Sequence, residues 1–161
     1  EVSDAPFMTR EETSKYTDAL RDGRVEQFTF TLGPKSLITS PSYPMVMGQR
    51  GFCEIRGIAW TGNGRVQRVE VSVDGGRRWR DARLLGPALD RCGTAFTAAW
   101  DWDGKPALLL SRATDELGVT QPMPAEARRL RGAGSHYHNN AVRAWQIDAD
   151  GRVTLGLRAL I

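Results

Sequence analysis

The chain has 161 residues, room for one domain plus an arm, and its 40% hydrophobic content is enough to bury a sizeable core. Lys and Arg number 22 against 19 Asp and Glu, a net charge of +3 that is too even for a dedicated nucleic-acid binder. No run of 18 apolar residues occurs, so no membrane-spanning helix is expected. The basic side is 19 Arg to 3 Lys. Arg suits bidentate capture of oxyanions, but coding bias in the source genome gives the same ratio and is the preferred reading.

The chain opens at Glu1 with no signal-type apolar segment, so it is expected to be a piece of something longer. Residues 1–27 are polar, hold neither helical nor strand periodicity for long, and read as an irregular arm. From Gln27 the pattern changes to short β-type runs bounded by Gly, Pro, Asn and Asp. Phe28 to Leu32 alternates and breaks at Gly33-Pro34. Ser36 to Thr39 resumes before Pro41 and Pro44. Phe52 to Trp60 follows, closed by Thr61-Gly-Asn-Gly64. In Val66 to Val73, Val69, Val71 and Val73 share one face against Arg68, Glu70 and Ser72.

Asp74-Gly75-Gly76 has the chemistry of a tight hairpin turn, so Val66 to Val73 should pair antiparallel with a strand around Trp79 to Leu84. Further runs lie at Thr94 to Trp102, Ala107 to Ala113, Asn140 to Ile147 and Arg152 to Leu157, the last two joined by a turn at Asp148-Ala-Asp-Gly151. Residues 115–135 lack alternation and are expected to form a long surface loop with at most one helical turn. Seven or eight short strands with this spacing predict an all-β sandwich of two antiparallel sheets.

Chemistry-bearing patterns are few. His136 and His138, two apart on an extended segment, would share a face. They could hold a metal, grip an anion when protonated, or hydrogen-bond the backbone at a loop-to-strand junction. A metal would need a third ligand, and no neighbouring motif nominates one. Cys53 and Cys92 lack a CxxC partner and an evident base, which excludes a zinc ribbon or a recognisable thiol nucleophile. Two buried or semi-buried thiols are preferred to a disulfide, which stays open: Trp60 follows Cys53 too closely for the immunoglobulin spacing. Gly62-Asn-Gly64 and Gly75-Gly76 open no helix and so cradle no phosphate. Asp101 and Asp103 read as a solvated strand end, and the basic run Arg77 to Arg83 divides between two strand faces. Trp60, Trp79, Trp100, Trp102 and Trp145 read as core or interface, with a ligand platform as the alternative. That alternative corresponds to a free-standing adhesion or carbohydrate-binding module.

Five motifs taken together carry a resemblance: Gly57-Ile-Ala-Trp60-Thr-Gly-Asn-Gly64, Val69 to Gly76 with Trp79 and Ala82-Arg-Leu84, Trp100-Asp-Trp102, Ser111 to Asp115, and Gln121-Pro122. In order and spacing they resemble the C-terminal dimerisation domain of the sulfite oxidase family of molybdenum-cofactor oxidoreductases. Met8 to Asp18, Pro34 to Thr39 and Tyr137-His-Asn-Asn140 are similar to its sulfane dehydrogenase (SoxC) branch. The resemblance implies an immunoglobulin-like sandwich over residues 28–161 that mediates homodimerisation. It also implies that residues 1–27 are the end of a molybdopterin-binding domain, which would lie outside this chain and ligate molybdenum through a cysteine thiolate. Neither Cys53 nor Cys92 lies in a motif like that ligand's, so no catalytic or metal-binding residue is expected here. The implied parent enzyme is periplasmic, oxidises sulfite or sulfane sulfur at the molybdenum-molybdopterin cofactor, and passes electrons to cytochrome c. No nucleic acid or membrane is implied. Where the family carries a substrate-binding arginine, this sequence aligns His138, which places His138, with His136 beside it, at the edge of the implied substrate pocket.

Overall fold

Alternation becomes architecture in the computed structural model, which describes residues 3–5, 7, 9–11, 17–20, 22–27, 30–131 and 138–156. The strands are β1 (Thr17–Ala19), β2 (Val25–Gln27), β3 (Lys35–Ser40), β4 (Gly51–Trp60), β5 (Val66–Ser72) and β6 (Arg80–Asp81), followed by β7 (Arg83–Leu85), β8 (Thr94–Trp102) and β9 (Ala107–Asp115). A helix α1 (Pro124–Arg131) precedes β10 (Ala144–Ile147) and β11 (Val153–Leu155). β1 and β2 pair as a separate hairpin. The rest form a five-stranded sheet, ordered β11-β10-β9-β5-β6, and a four-stranded sheet, ordered β3-β4-β8-β7. Every strand pair is antiparallel. The fold is the expected immunoglobulin-like all-β sandwich.

The inward residues of the two sheets meet in one core. Val69, Val71, Leu109, Ala113 and Ile147 of the larger sheet face Ile55, Ala59 and Phe96 of the smaller, all fully buried. β4 and β8 hold a continuous register from Gly51 opposite Trp102 to Ala59 opposite Thr94. Gly57 interrupts the inward row of β4 because a Cβ there would overlap the Phe96 ring and the Leu37 carbonyl; its missing side chain is the space Phe96 fills. A second cluster, Leu110, Val142 and Ala144 with Trp79, Leu108 and Met123 packed against it, covers part of the outer face of the five-stranded sheet.

Several sequence expectations change in detail. Phe28 and Thr29 lie outside the described residues, and Phe30 to Leu32 form no strand. Leu32 instead lends its carbonyl to the Gly62 N–H at 2.8 Å before Gly33-Pro34 redirects the chain. β5 does pair with the segment after the double glycine, Val71 opposite Arg80, but a seven-residue connection, residues 73–79, replaces the tight turn. The Asp74 carboxylate draws that loop together by accepting from the Arg77 and Arg78 amides at 3.1 and 3.0 Å, and the Trp79 indole donates to Gly76 O at 3.0 Å. The arm expected to be irregular contains the β1–β2 hairpin, turned at Gly23 (φ 83°). The loop expected at 115–135 contains α1. Pro124 at its start, Glu126 in its first turn and Arg128, Arg129 and Arg131 in its last favour a helix by proline geometry and dipole complementarity. β10 begins at Ala144, later than the alternation suggested. The hairpin at Asp148 to Gly151 forms as expected, with Ile147 opposite Val153. Cys53 is half-buried in β4 as expected, but Cys92 is exposed, because it lies in the connection between β7 and β8 and not on an inward strand face; both are free thiols.

Candidate functional site

The start of β3 and the segment entering β10 lie side by side at one end of the sandwich. Gly33-Pro34 ends the approach to β3, and His138, Asn139 and Asn140 run alongside it. His138 is half-buried, and its Nε2 accepts the Gly33 N–H at 3.1 Å, so that nitrogen carries no proton in this arrangement. Asn140, 4% exposed, donates from Nδ2 to Pro34 O at 3.1 Å and accepts from the Arg131 guanidinium at 2.5 Å. The same guanidinium donates to the His138 carbonyl at 3.3 Å. Gly33 packs closely here: a Cβ would stand 2.9 Å from Asn140 Nδ2 and make that side chain shift.

Cations converge on this end. The Lys35 ammonium donates to the Asn139 carbonyl. Burial holds its pKa below the ordinary lysine value, and the positive charge of Arg143 lowers it further. Among the described residues, no carboxylate forms an ion pair with Lys35, Arg131 or Arg143. A basic end framed by donors, with no acidic partner among the described residues, has the electrostatics to hold an oxyanion.

Of the two histidines singled out in the sequence, His138 therefore sits within this basic end, and His136 lies outside the described residues. Lys35, Arg131, Asn140 and Arg143 were not singled out for chemistry. They are spread over more than 100 positions, and their only sequence signal was that Lys35 and Asn140 belong to stretches shared with the family. Asp101 and Asp103 are exposed, and Asp103 pairs with Lys105 at 3.0 Å. Trp100 and Trp102 are buried with centroids 6.5 Å apart, and the indole N–H of Trp145 donates to Ile38 O at 2.8 Å. Trp79 lies under the Arg112 guanidinium, 4.2 Å from the ring centroid. These four rings are committed within the protein.

Among the described residues, Cys53 does not suit a molybdenum ligand. Burial, with the nearby Glu54 charge, pushes the Cys53 thiol up from its ordinary value, away from the thiolate a metal takes. Among the described residues no three His, Cys, Asp or Glu side chains converge.

Residues 26–145 match the model of the Mo-co oxidoreductase dimerisation domain. Sulfite oxidase of Gallus gallus is 42% identical over 69 residues, 42% of this chain and 14% of that protein. Mitochondrial sulfite oxidase of Mus musculus is 42% identical over 115 residues, 63% of this chain and 20% of that protein. The chain thus spans a fifth or less of the length of these curated relatives. Among solved structures, the sulfane dehydrogenase SoxCD from Paracoccus pantotrophus superposes with a TM-score of 0.86 and 47% identity, covering 91% of this chain and 38% of that one. The chain belongs to the Mo-co oxidoreductase dimerisation domain family.

Proposed function

We propose that this chain is the homodimerisation module of a SoxC-like sulfane or sulfite dehydrogenase, a periplasmic enzyme that oxidises reduced sulfur compounds and passes electrons to cytochrome c. The observation that carries the reading is the 47% identity with the SoxCD structure, extending over 91% of the chain. Under it, residues 1–27 belong to the end of the molybdopterin-binding domain and residues 28–161 form the dimerisation domain. Under the same reading the molybdenum-molybdopterin cofactor supplies the oxidation and is held by the molybdopterin-binding domain.

What this chain adds is charge at the pocket edge. Lys35, Arg131 and Arg143 offset the negative charge of a sulfur oxyanion, and His138, with His136 preceding it, borders the same end. In the full-length enzyme, His138→Ala should raise KM for the sulfur substrate by about tenfold, the equivalent of about 1.4 kcal/mol of binding, while leaving dimerisation intact. Steady-state kinetics with sulfite and with a sulfane-bearing substrate measure this. Unchanged KM and kcat with both would remove His138 from the pocket.

A further inference from the structure

β6 leaves the five-stranded sheet before β5 is fully paired. The last backbone bond between them is Ala82 N–H to Val69 O at 2.8 Å, after which the chain crosses to the four-stranded sheet as β7. β5 starts earlier, at Val66, so among the described residues no strand lies beside Val66 to Arg68 on that flank. Within this stretch the register with β9 skips Gln67, the extra residue of a bulge, which is exposed. The space that β6 gives up is an open groove of about 820 Å³, with Gln67 and Arg68 on one side and Asp81, Ala82 and Leu84 on the other. It is a short sheet edge of the kind that another extended chain can complete.

The groove is apolar on one side and a hydrogen-bond donor on the other. Ala82 and Leu84 are half-buried and pack against the core. On the outer face the Arg112 guanidinium lines the same groove, held from two directions: its Nε donates to the buried Glu70 carboxylate at 2.7 Å, and it stacks 4.2 Å from the centroid of Trp79. Arg68 takes the other Glu70 oxygen at 3.1 Å and Asp81 at 2.5 Å, so both groove carboxylates are already engaged. A buried carboxylate shared by two guanidiniums adds little net stability, but it fixes both groups in place. The Nε bond is the only side-chain hydrogen bond of Arg112 among the described residues, which leaves its Nη pair for a ligand. Arg80 and Arg83, on the segment bordering the groove, are exposed and form no ion pair among the described residues.

We propose that this gap is a strand-addition site: an extended segment of an acidic partner protein lies beside the start of β5, one of its carboxylates taken by the Arg112 Nη pair and its alternate apolar side chain seated on Ala82 and Leu84. A stretch of about three to four residues, at about 3.3 Å each, spans it. The cations of Arg80 and Arg83 favour an acidic strand and repel the equally basic edge of a second copy. The test is an amide chemical-shift titration of the isotope-labelled 161-residue chain with the peptide acetyl-Val-Glu-Val-Glu-Val-amide, with far-UV circular dichroism to confirm that each variant folds. Shifts should cluster at Gln67, Arg68, Ala82 and Leu84. Arg112→Met should weaken binding about tenfold, and Arg80→Glu, at an exposed position, should weaken it severalfold. A peptide with Lys in place of Glu, and one with N-methylated backbone amides, should not bind. Shifts that are absent at millimolar peptide, that map elsewhere or that survive backbone methylation overturn the strand-addition site. The same amides shifting with sulfate alone would make the groove a simple oxyanion pocket, and their shifting with protein concentration alone would assign it to a second copy; either result overturns the proposal.

Discussion

Asp115 is the residue whose removal should cost the sandwich most among the polar side chains. Its side chain is fully buried at the end of β9, and each oxygen is used twice. Oδ1 accepts the Leu117 and Val119 amides at 3.1 and 2.9 Å, and Oδ2 accepts Thr61 Oγ1 and Asn63 Nδ2, both at 3.3 Å. Asp115→Ala leaves four donors to find other partners in a packed site, so urea denaturation should show a loss of about 3 kcal/mol. The family motif Ser111 to Asp115 marked the position in the sequence. It did not reveal the cause, because Thr61 and Asn63 are more than 50 positions away and meet Asp115 only once both sheets exist. The cysteines, in contrast, were legible as separate thiols, and their environments predict different reactivity. Cys53 is half-buried with its pKa raised by desolvation, whereas Cys92 is exposed. Iodoacetamide at pH 8, followed by mass spectrometry, should modify Cys92 first and Cys53 roughly ten times more slowly. Equal rates would show that β4 opens readily.

Elements were legible where hydrophobic period dominates and obscure where side chains hold the backbone. β4, β5, β8 and β9 carry their alternation openly, whereas the β5–β6 connection is set by Asp74. The Asp74 carboxylate accepts the Arg78 amide, the Ser72 hydroxyl and the Arg77 amide, and these bonds, the Arg78 one foremost, hold its pKa below the ordinary aspartate value. A depressed carboxyl pKa contributes stability above the unfolded-state pKa and loses it as pH falls through the folded value. Asp74→Asn keeps an acceptor but loses the charge. It should therefore be less stable than wild type at pH 7, by no more than about 1 kcal/mol after solvent screening, and equal to it near pH 2. Urea midpoints across that range measure the difference, and a gap that persists at pH 2 would assign the effect to packing. Helix α1 was obscured for another reason. It exposes most of its surface and buries no residue fully, so it carries no apolar stripe from which a period could be read.

At the scale of the whole molecule, the sandwich is closed differently at its two long edges. On one edge the chain itself passes from the larger sheet to the smaller, β6 to β7, through Ala82, whose amide bonds Val69 O at 2.8 Å. On the other edge a backbone bridge follows β3, Met47 N–H to Gly151 O at 2.8 Å and Val153 N–H to Met45 O at 3.0 Å, but β3 itself is tied to the facing sheet through side chains. Gln121 Oε1 accepts the Ser36 amide at 2.8 Å and the Ala113 amide at 3.2 Å, Ser36 Oγ meets Ser111 Oγ at 2.9 Å, and the Trp145 indole donates to Ile38 O. None of these partners is adjacent in sequence, which is why the composition shows a sandwich but not its weaker edge. β3 should consequently open before the rest. In Gln121→Leu combined with Trp145→Phe, the three bonds to β3 across that edge are lost, Ser36 N–H and Ser36 Oγ to Gln121 and the Trp145 indole to Ile38 O, at a cost to the docking of β3 of about 3 kcal/mol. Native-state hydrogen exchange should then show β3 amides exchanging on the order of 100-fold faster through a local opening, with β8 amides still limited by global unfolding. If β8 accelerates by the same factor, the two sheets separate as one cooperative unit and β3 is no weaker than its neighbours.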